Sequence, residues 1–309
     1  KMTNSFKTPI LFITYNKIDT SKKILKVIKS VNPTNLIIAS DGGKSKNESY
    51  EINKLRDYFN HELDDLNYKT IYNEKNLGCK RSVVNAIDKC FEFHDELIIL
   101  EDDTLPSLKF FGFVEKILKL YRDNNNINLV SGYNYLAKTK TTQNFYFSKY
   151  TNIWGWGTWK NQWNNRIDLN SETLNSFKNS DLNNIFHSDY EKNYFLDRFD
   201  EVVYKNLDTW DYGLVFSNFY QKKLSIYPKY NLVKNIGLGH DKATHTNNYF
   251  KYLISTPNKK LSIFQSNQIG YIEPVVNSSV DEKFHKKIIL KNSLYNRFVY
   301  RLLKLFRRI

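Results

Sequence analysis

The segment Glu96-Leu-Ile-Ile-Leu-Glu-Asp-Asp103 joins four consecutive apolar residues to three consecutive acids. A short, uninterrupted apolar run is typical of a strand that is buried on both faces of a sheet. The acids then follow at the carboxyl end of that strand, where three neighbouring carboxylates repel one another. The segment therefore predicts a buried parallel strand that ends in a polar site.

Three further apolar runs precede this segment, and amphipathic patterns of helical period separate them. We predict strands at 9–15, 36–39 and 68–72, and helices opening at Asn16, near 50–60 and from about 80 to 93. Strands and helices that alternate in this way form a mostly parallel sheet with helices on both faces. The predicted fold class is therefore α/β, of the Rossmann-like kind.

After a predicted helix near 107–122, the pattern is less regular. We predict strands at 128–131 and 224–227, helices at 182–206 and 214–222, and an aromatic-glycine loop at 154–159. A polar, glycine-bearing segment follows at 231–246. The main domain is predicted to cover 1–275, with a nucleotide-binding half at about 8–131 and an acceptor half at about 132–275.

The distribution of charge argues against a nucleic-acid-binding protein. The 309 residues carry a formal net charge of +14, yet residues 282–309 hold nine Lys and Arg against one Glu, a net +8. The body of the chain is thus only mildly basic, and no nucleic-acid-binding module is recognisable in it. We expect no nucleic-acid partner.

The segment 276–309 is predicted to be a separate C-terminal tail. Apolar and basic residues recur there in two stripes at helical spacing: Tyr295, Phe298, Leu302, Leu305 and Ile309 beside Arg297, Arg301, Lys304 and Arg308. A basic amphipathic helix fits an anionic membrane surface, on which it lies without crossing the bilayer. Packing on the body, or on another subunit of an oligomer, is the alternative.

Cys79 and Cys90 lie eleven residues apart in one predicted helix. That separation is about 16 Å, which is too long for a disulfide. Unpaired thiols are typical of a reducing compartment, and no secretory signal or spanning segment is recognisable. We therefore expect a cytoplasmic protein, peripheral to the inner face of the cell membrane.

Polar residues collect at the carboxyl ends of the predicted strands, where open α/β sheets bind their ligands. They are Asn16, Asp41, Asn76, Glu101, Asp102 and Asp103. The three acids are costly to bury unless a cation joins them, and oxygen ligands at this density suit Mg²⁺ or Mn²⁺ shared with substrate phosphates. A solvated turn before Pro106 is the alternative.

Several short motifs, taken in order, resemble those of glycosyltransferases of the GT-A fold. They are PILFITYN (9–16), SDG (40–42), NLGCKR (76–81), LEDD (100–103), WGWG (154–157), TWDY (209–212) and NIGLGHDKATHT (235–246). The Glu-Asp-Asp motif is similar to that of N-acetylglucosaminyltransferase I and its bacterial relatives. The resemblance covers roughly residues 8 to 250, and it implies a nucleotide-sugar donor, UDP by analogy, with Mn²⁺ or Mg²⁺ on its diphosphate.

The resemblance also implies a nucleoside pocket at the first three strand ends. Thr14 and Asn16 would line it, and Asp41 would hydrogen-bond the base or the ribose. Asn76 would lie beside the base. For Asp41, a role in forming the turn before Gly42 is the alternative.

Two cations open the third predicted helix. Lys80 and Arg81 lie where backbone N–H groups also favour a bound diphosphate. A solvated basic turn is the alternative interpretation of this pair.

The metal ligands follow from the same resemblance. Asp103, the last acid of the motif, corresponds to the direct ligand, whereas Asp102 and Glu101 would act through water or a sugar hydroxyl. A histidine from a late loop often completes such sites. We favour His245, and His240 stays open.

Transfer requires a base that accepts the proton of the acceptor hydroxyl. Asp211 matches the carboxylate that follows Trp in the inverting relatives, Asp208 is a nearby rival, and a helix N-cap is the alternative for either. A base opposite the departing phosphate implies a single displacement with inversion, although retaining transfer stays open.

The aromatic-glycine segment is the predicted sugar-binding element. Trp154, Gly155 and Trp156 would line the substrate, since glycine admits a ligand close to the backbone and indole covers an apolar sugar face; ordinary core packing is the alternative. The sequence thus predicts a hexosyl- or N-acetylhexosaminyltransferase acting on a glycan or lipid-linked glycan in bacterial surface polysaccharide or glycoconjugate synthesis. A non-catalytic carbohydrate-binding or membrane-surface protein on the same fold is the alternative.

Overall fold

A computed structural model describes residues 5–136, 139–237 and 269–290 of the chain. The strands are β1 (Ile10–Thr14), β2 (Leu36–Ser40), β3 (Tyr68–Tyr72), β4 (Glu96–Glu101), β5 (Thr104–Pro106), β6 (Ile127–Ser131), β7 (Phe145–Ser148), β8 (Trp156–Trp159), β9 (Leu224–Pro228) and β10 (Val233–Asn235). The helices are α1 (Ile18–Ser30), α2 (Lys46–Glu62), α3 (Cys79–Phe91), α4 (Leu108–Leu120), α5 (Lys160–Asn164), α6 (Ser171–Lys178), α7 (Asp189–Tyr204), α8 (Asp211–Tyr220) and α9 (Ser278–Phe284). A π-helix, His285–Leu290, continues α9.

Eight of these strands form one sheet in the order β3-β2-β1-β4-β8-β6-β9-β7. The strands from β3 to β4 run parallel, as do β6 and β9, whereas β8 and β7 pair antiparallel with their neighbours. Four of the seven strand pairings described in this eight-stranded sheet are thus parallel. The predicted mostly parallel sheet is confirmed; β4 and β8 lie at its centre, and β1 is the parallel neighbour of β4.

The alternation of side chains along the central strands produces two apolar layers. Phe12 and Leu100 face the layer that contains Leu25 of α1 and Val114 of α4. The intervening residues, among them Leu11 and Ile99, face a second layer, which contains Val83 and Ile87 of α3. Because successive residues of a strand point to opposite faces, helices cover both sides of the sheet. This arrangement confirms the predicted α/β class.

The predicted aromatic-glycine loop at 154–159 is wrong, because its last four residues form strand β8. That strand lies between β4 and β6 and pairs antiparallel with both. Gly157 has a packing role there, since a Cβ on it would lie 2.5 Å from Cγ1 of Val114 in α4. Alternation of aromatic residues with glycine thus marks a strand under a closely packed helix.

The predicted helix at 182–206 is too long at its start. Helix α7 begins at Asp189, and the side chain of Ser188 caps it by accepting a hydrogen bond from the backbone N–H of Glu191. Leu182, Ile185 and Phe186 are buried in the turn before it. Their apolar spacing reflects burial in the core and not helical structure.

The first part of the predicted tail packs on the body of the protein. Val276 forms a bridge with Phe147 of β7, and Val280 and Asp281 in α9 are buried. The stretch 291–309, which carries most of the predicted amphipathic helix, lies outside the described residues. No helix in the described ranges is both long and apolar enough to cross a bilayer.

Candidate functional site

The carboxyl ends of β1 and β4 bring the acidic triplet next to the loop between β1 and α1. The two strands are parallel neighbours, and Ile13 is paired with Glu101. The backbone N–H of Tyr15, two residues later, donates to Oδ2 of Asp102 at 3.1 Å. The predicted clustering of polar groups at this edge is therefore present for these two strand ends.

A lysine that we did not single out from the sequence lies between the last two acids. The Nζ atom of Lys17 is 3.0 Å from Oδ1 of Asp102 and 2.9 Å from Oδ2 of Asp103. Burial acts to lower the pKa of Lys17, but the two carboxylates outweigh that effect and raise it above its usual value. The sequence signal that could have identified Lys17 was its position just after the first predicted strand, on the same edge of the sheet as the acids.

Glu101, the first acid of the triplet, has a different environment. Burial, together with the charges of Asp103 and Asp102, raises the pKa of Glu101 well above the ordinary value. Burial also raises the pKa of Asp102, and the attraction of Lys17 offsets this only in part. The site thus concentrates negative charge in a poorly solvated place, and Lys17 compensates for part of it.

The acids meet the geometric requirement for a shared divalent cation. Oxygens from Asp102 and Asp103 converge on one point, and the Lys17 ammonium stands there as a cation. The described residues contain no group of three or more His, Cys, Asp or Glu able to hold a metal by themselves. Mg²⁺ and similar ions, however, bind through one or two carboxylates and complete their shell with substrate phosphates and water.

His240 and His245, the two histidines predicted to complete the site, belong to 238–268 and lie outside the described residues. The chain leading to them does pass the acids. Strand β10 pairs antiparallel with β5, and the backbone N–H of Ile236 donates to the carbonyl of Asp103 at 2.8 Å. A Cβ on Gly237 would lie 2.6 Å from Cβ of Asp103. Gly237 therefore lies directly against Asp103, the side chain expected to bind the metal.

Asp41 and Asn76 lie at this edge, where their side chains are hydrogen-bonded to each other. The carboxylate of Asp41 accepts hydrogen bonds from the backbone N–H groups of Leu77 and Gly78 and from the side chain of Asn76. The Asn76 amide also donates to the carbonyl of Gly42. The Asp41 carboxylate thus holds the loop that follows β3, and its contact with a base or a ribose stays a prediction.

Arg56 of α2 holds the same region from the opposite side and was missed in the sequence. Its guanidinium donates to the carbonyls of Ser40, Asp41 and Asn73 at 2.9–3.1 Å. It also lies over the ring of Tyr72, 4.6 Å from the centroid. One side chain therefore joins the carboxyl ends of β2 and β3.

The two remaining nucleoside-pocket predictions differ in their surroundings. The hydroxyl of Thr14 is buried and donates to the carbonyl of Ala39 at 3.1 Å, so it links β1 to β2. Asn16 is half-buried in the loop between β1 and α1, beside the acids. Of the pair, Asn16 is the one whose side chain is partly accessible.

The start of α3 is capped by a carboxylate from the loop between α7 and α8. Asp208 accepts hydrogen bonds from the backbone N–H groups of Cys79 and Lys80, at 2.8 and 2.9 Å. These two donors, which we expected to favour a diphosphate, are therefore engaged. The side chains of Lys80 and Arg81 are exposed at the rim.

Asp211 opens α8 at the same edge of the sheet. Its carboxylate accepts a hydrogen bond from the hydroxyl of Thr209 and raises the pKa of Glu101, after the nearer acids of the triplet. It also raises the pKa of Cys79, which burial, as the main cause, brings to about 12. Asp211 thus lies within electrostatic range of the acid site, and so does Cys79, which forms no disulfide.

The tryptophans of the 154–159 segment face the core. Trp156 is only 1% exposed and stacks on Trp210, with ring centroids 5.7 Å apart. The ring of Trp154 packs against Tyr133. Gly155 has a φ of +63°, and a Cβ there would lie 3.3 Å from Cδ2 of Leu100. The prediction that Trp156 covers a sugar is corrected, because its ring has almost no surface to offer.

The sequence matches no protein-family model and no curated protein sequence. Similar solved structures include HddC from Yersinia pseudotuberculosis, with 12% identity over 40% of this chain and 57% of that chain and a TM-score of 0.29. Glucosyl-3-phosphoglycerate synthase from Mycobacterium tuberculosis, in complex with Mn²⁺, UDP and phosphoglyceric acid, is 13% identical over 40% of this chain and 42% of that chain, with a TM-score of 0.26. UDP-glucose pyrophosphorylase complexed with UDP-glucose is 7% identical over 74% of this chain and 94% of that chain, with a TM-score of 0.37.

The chain thus spans about half the length of the first two proteins. The TM-scores are below 0.5 in all three cases.

Proposed function

We propose that this protein is a metal-dependent, inverting glycosyltransferase that uses a UDP-sugar. One observation carries the proposal: carboxylate oxygens of Asp102 and Asp103 converge on a single cation position at the carboxyl end of β4. That edge of an α/β sheet is the usual place of a ligand. Asp211 lies close enough to influence the same acids.

On the donor side, Asp102 and Asp103 would hold the Mn²⁺ or Mg²⁺, which when bound would offset charge that develops on the leaving diphosphate. Asn16, in the half-buried loop after β1, contacts the nucleoside. Lys80 and Arg81 add positive charge at the exposed rim, where they attract the phosphates. The loop that Asp41 and Asn76 hold in place closes the nucleoside side of the site.

On the acceptor side, Asp211 accepts the proton of an acceptor hydroxyl. The hydroxyl oxygen forms a bond to the anomeric carbon of the donor sugar while the bond from that carbon to the phosphate oxygen breaks. The electron pair leaves with the nucleoside diphosphate. Because attack and departure occur on opposite sides of the carbon, the anomeric configuration inverts.

The acceptor that we propose is a glycan or lipid-linked glycan of a bacterial surface polysaccharide or glycoconjugate. Its support is the basic amphipathic sequence of 291–309, which would hold the enzyme at an anionic inner leaflet. Co-sedimentation of the whole chain with vesicles of phosphatidylcholine, with and without added anionic phosphatidylglycerol, tests this part separately. Equal binding to both vesicles would contradict it.

The proposed donor site is tested by calorimetric titration of the protein with UDP and with GDP, each with and without Mn²⁺. We expect UDP to bind in a Mn²⁺-dependent manner, and Asp103→Asn to abolish that binding. Asp123→Asn, which removes an exposed carboxylate just after α4, is the matched control and should bind like the wild type. Absence of nucleotide binding by the wild type under every condition would overturn the proposal.

A non-catalytic carbohydrate-binding protein on this fold is distinguished by turnover. Incubation with UDP-sugars and Mn²⁺, followed by detection of released UDP, separates an enzyme from a binding protein. When a transfer product is found, the coupling constant of its anomeric proton gives its configuration. A product that keeps the configuration of the donor would refute the single-displacement mechanism and the role of Asp211 as its base.

A further inference from the structure

The position between Asp102 and Asp103 is filled by a cation of the protein itself. The Lys17 side chain is 13% exposed and those of Asp102 and Asp103 are 9% and 23% exposed, so all three groups are largely removed from water. Two carboxylates held this close repel each other strongly in a poorly solvated site. The ammonium group is therefore a substantial part of what stabilises this arrangement of the two acids.

The backbone of Lys17 is fixed by the start of α1. Its carbonyl accepts hydrogen bonds from the backbone N–H of Ser21 at 3.0 Å and from the hydroxyl of Thr20 at 3.2 Å. Lys17 is thus the residue before the first helical position. The side chain is a flexible four-carbon stem on an anchored backbone, so its ammonium could move by roughly several ångströms without unfolding the helix.

We propose that Lys17 is the resting counter-cation of the donor site, and that it exchanges this place for the donor diphosphate when a divalent cation enters. In the donor-free protein its ammonium neutralises Asp102 and Asp103. When the metal arrives with the nucleotide, Lys17 leaves the two acids and pairs with oxygens of the diphosphate. This inference rests on the proposed function, and it adds a donor-binding residue to that site.

The exchange couples the two ligands. A metal ion that arrives alone must displace an ammonium with two carboxylate partners, and it leaves that ammonium without an anion. A metal ion that arrives with UDP supplies the anion that Lys17 then binds. The nucleotide must therefore tighten metal binding by the same factor by which the metal tightens nucleotide binding.

The experiment is a Mn²⁺ titration of the whole protein followed by electron paramagnetic resonance, with and without saturating UDP. For the wild type we expect weak Mn²⁺ binding alone and at least tenfold tighter binding with UDP. Lys17→Met should bind Mn²⁺ alone at least tenfold more tightly than the wild type, because the two acids then lack a cation. UDP should tighten Mn²⁺ binding by a smaller factor in this variant.

The matched control is Lys23→Met, which removes one exposed positive charge from α1 away from the acids and should behave like the wild type. Should Lys17→Met fail to fold, Lys17→Gln removes the charge but keeps a hydrogen-bond donor. Lys17→Arg keeps the charge and is expected to keep weak Mn²⁺ binding. Each variant is compared at equal folded fraction, measured by thermal denaturation.

Equal Mn²⁺ affinity of the wild type and the uncharged variant in the absence of UDP would overturn the role of Lys17. Failure of the donor site itself has a different signature. In that case neither the wild type nor the variant binds Mn²⁺ or UDP, alone or together. The two failures are therefore separated within one set of titrations.

Discussion

Asp208 binds the first residue of α3: its Oδ2 atom lies 2.8 Å from the backbone nitrogen of Cys79, 129 residues away in the sequence. The other oxygen accepts from Lys80, so the carboxylate caps the helix with both of its oxygens. Gly78 allows this approach, because a Cβ there would lie 2.7 Å from Oδ2 of Asp208. The contact holds the loop between α7 and α8, which directly precedes Asp211, against the start of α3.

Replacement of Asp208 by Ala should destabilise the protein by about 1–2 kcal/mol, the usual loss for a helix N-terminal carboxylate acceptor. We also expect a lower kcat at unchanged UDP affinity, because the loop that positions Asp211 loses its anchor. Urea denaturation and steady-state kinetics measure the two effects. Asp197→Ala, an exposed carboxylate on α7, is the control. An unchanged kcat would show that the anchor does not position Asp211.

Asp211→Asn should lower kcat by a factor of about 10²–10⁴, the range expected on loss of a general base. The affinity for UDP and Mn²⁺ should stay within about twofold of the wild type, since Asp211 contacts the acceptor and not the nucleotide in the proposed mechanism. Kinetics with a fixed acceptor, alongside calorimetry, provide both numbers. A wild-type kcat in this variant would mean that another residue is the catalytic base.

Arg56→Met should cost at least about 2 kcal/mol, because it leaves carbonyls of Ser40, Asp41 and Asn73 without their shared donor. The loop after β3 should become more mobile, which hydrogen exchange at Leu77 and Gly78 would report. Arg56→Lys is the partner variant: it keeps the charge but cannot reach three carbonyls in a plane. Unchanged exchange at both amides would mean that Arg56 does not hold the loop.

Trp156→Phe tests the corrected role of the aromatic segment. The buried Trp156 ring packs against Trp210 and Trp163, with ring centroids 5.7 and 6.3 Å away. Its Nε1 has no hydrogen-bond partner in the described part of the chain, so the change breaks no hydrogen bond. We expect it to lower the free energy of unfolding by about 1–3 kcal/mol, through the cavity that it leaves among these rings. Donor and acceptor KM should not change. A large rise in either KM with little loss of stability would restore the sugar-contact hypothesis.

Burial raises the pKa of Asp281 from 3.8 to about 6, although Ser148 and Lys149 donate hydrogen bonds to it. The folded state then holds a proton that the unfolded chain releases near pH 4. The stability contributed by this group is present below about pH 4 and is lost as the pH rises through about 6, up to about 3 kcal/mol.

Urea denaturation from pH 4 to 7 checks this sign. Asp281→Asn should flatten the loss of stability relative to the wild type over that range, whereas Asp123→Asn should leave its slope unchanged. Parallel curves for the wild type and Asp281→Asn would show that Asp281 ionises normally in the folded protein.

Local sequence pattern was sufficient for the framework of the site. The apolar runs and helical periods before residue 101 predicted β1 to β4 and α1 to α3 in order, because each signal is complete within a few residues. Parallel connection then places Asp41, Asn76 and Asp103 along one edge without knowledge of side-chain contacts. The same logic failed at Trp156, where the partner strands β4 and β6 come from other parts of the chain.

The sequence by itself determined the α/β framework and the acids at the end of its central strand. Only the tertiary structure decided which charges meet there: Lys17 reaches Asp103 across 86 residues, and Asp208 reaches Cys79 across 129. Strand and helix periods are local properties, since they depend on neighbours within one or two turns. Charge pairing depends on which distant loops the sheet topology brings together, and no local pattern records that distance.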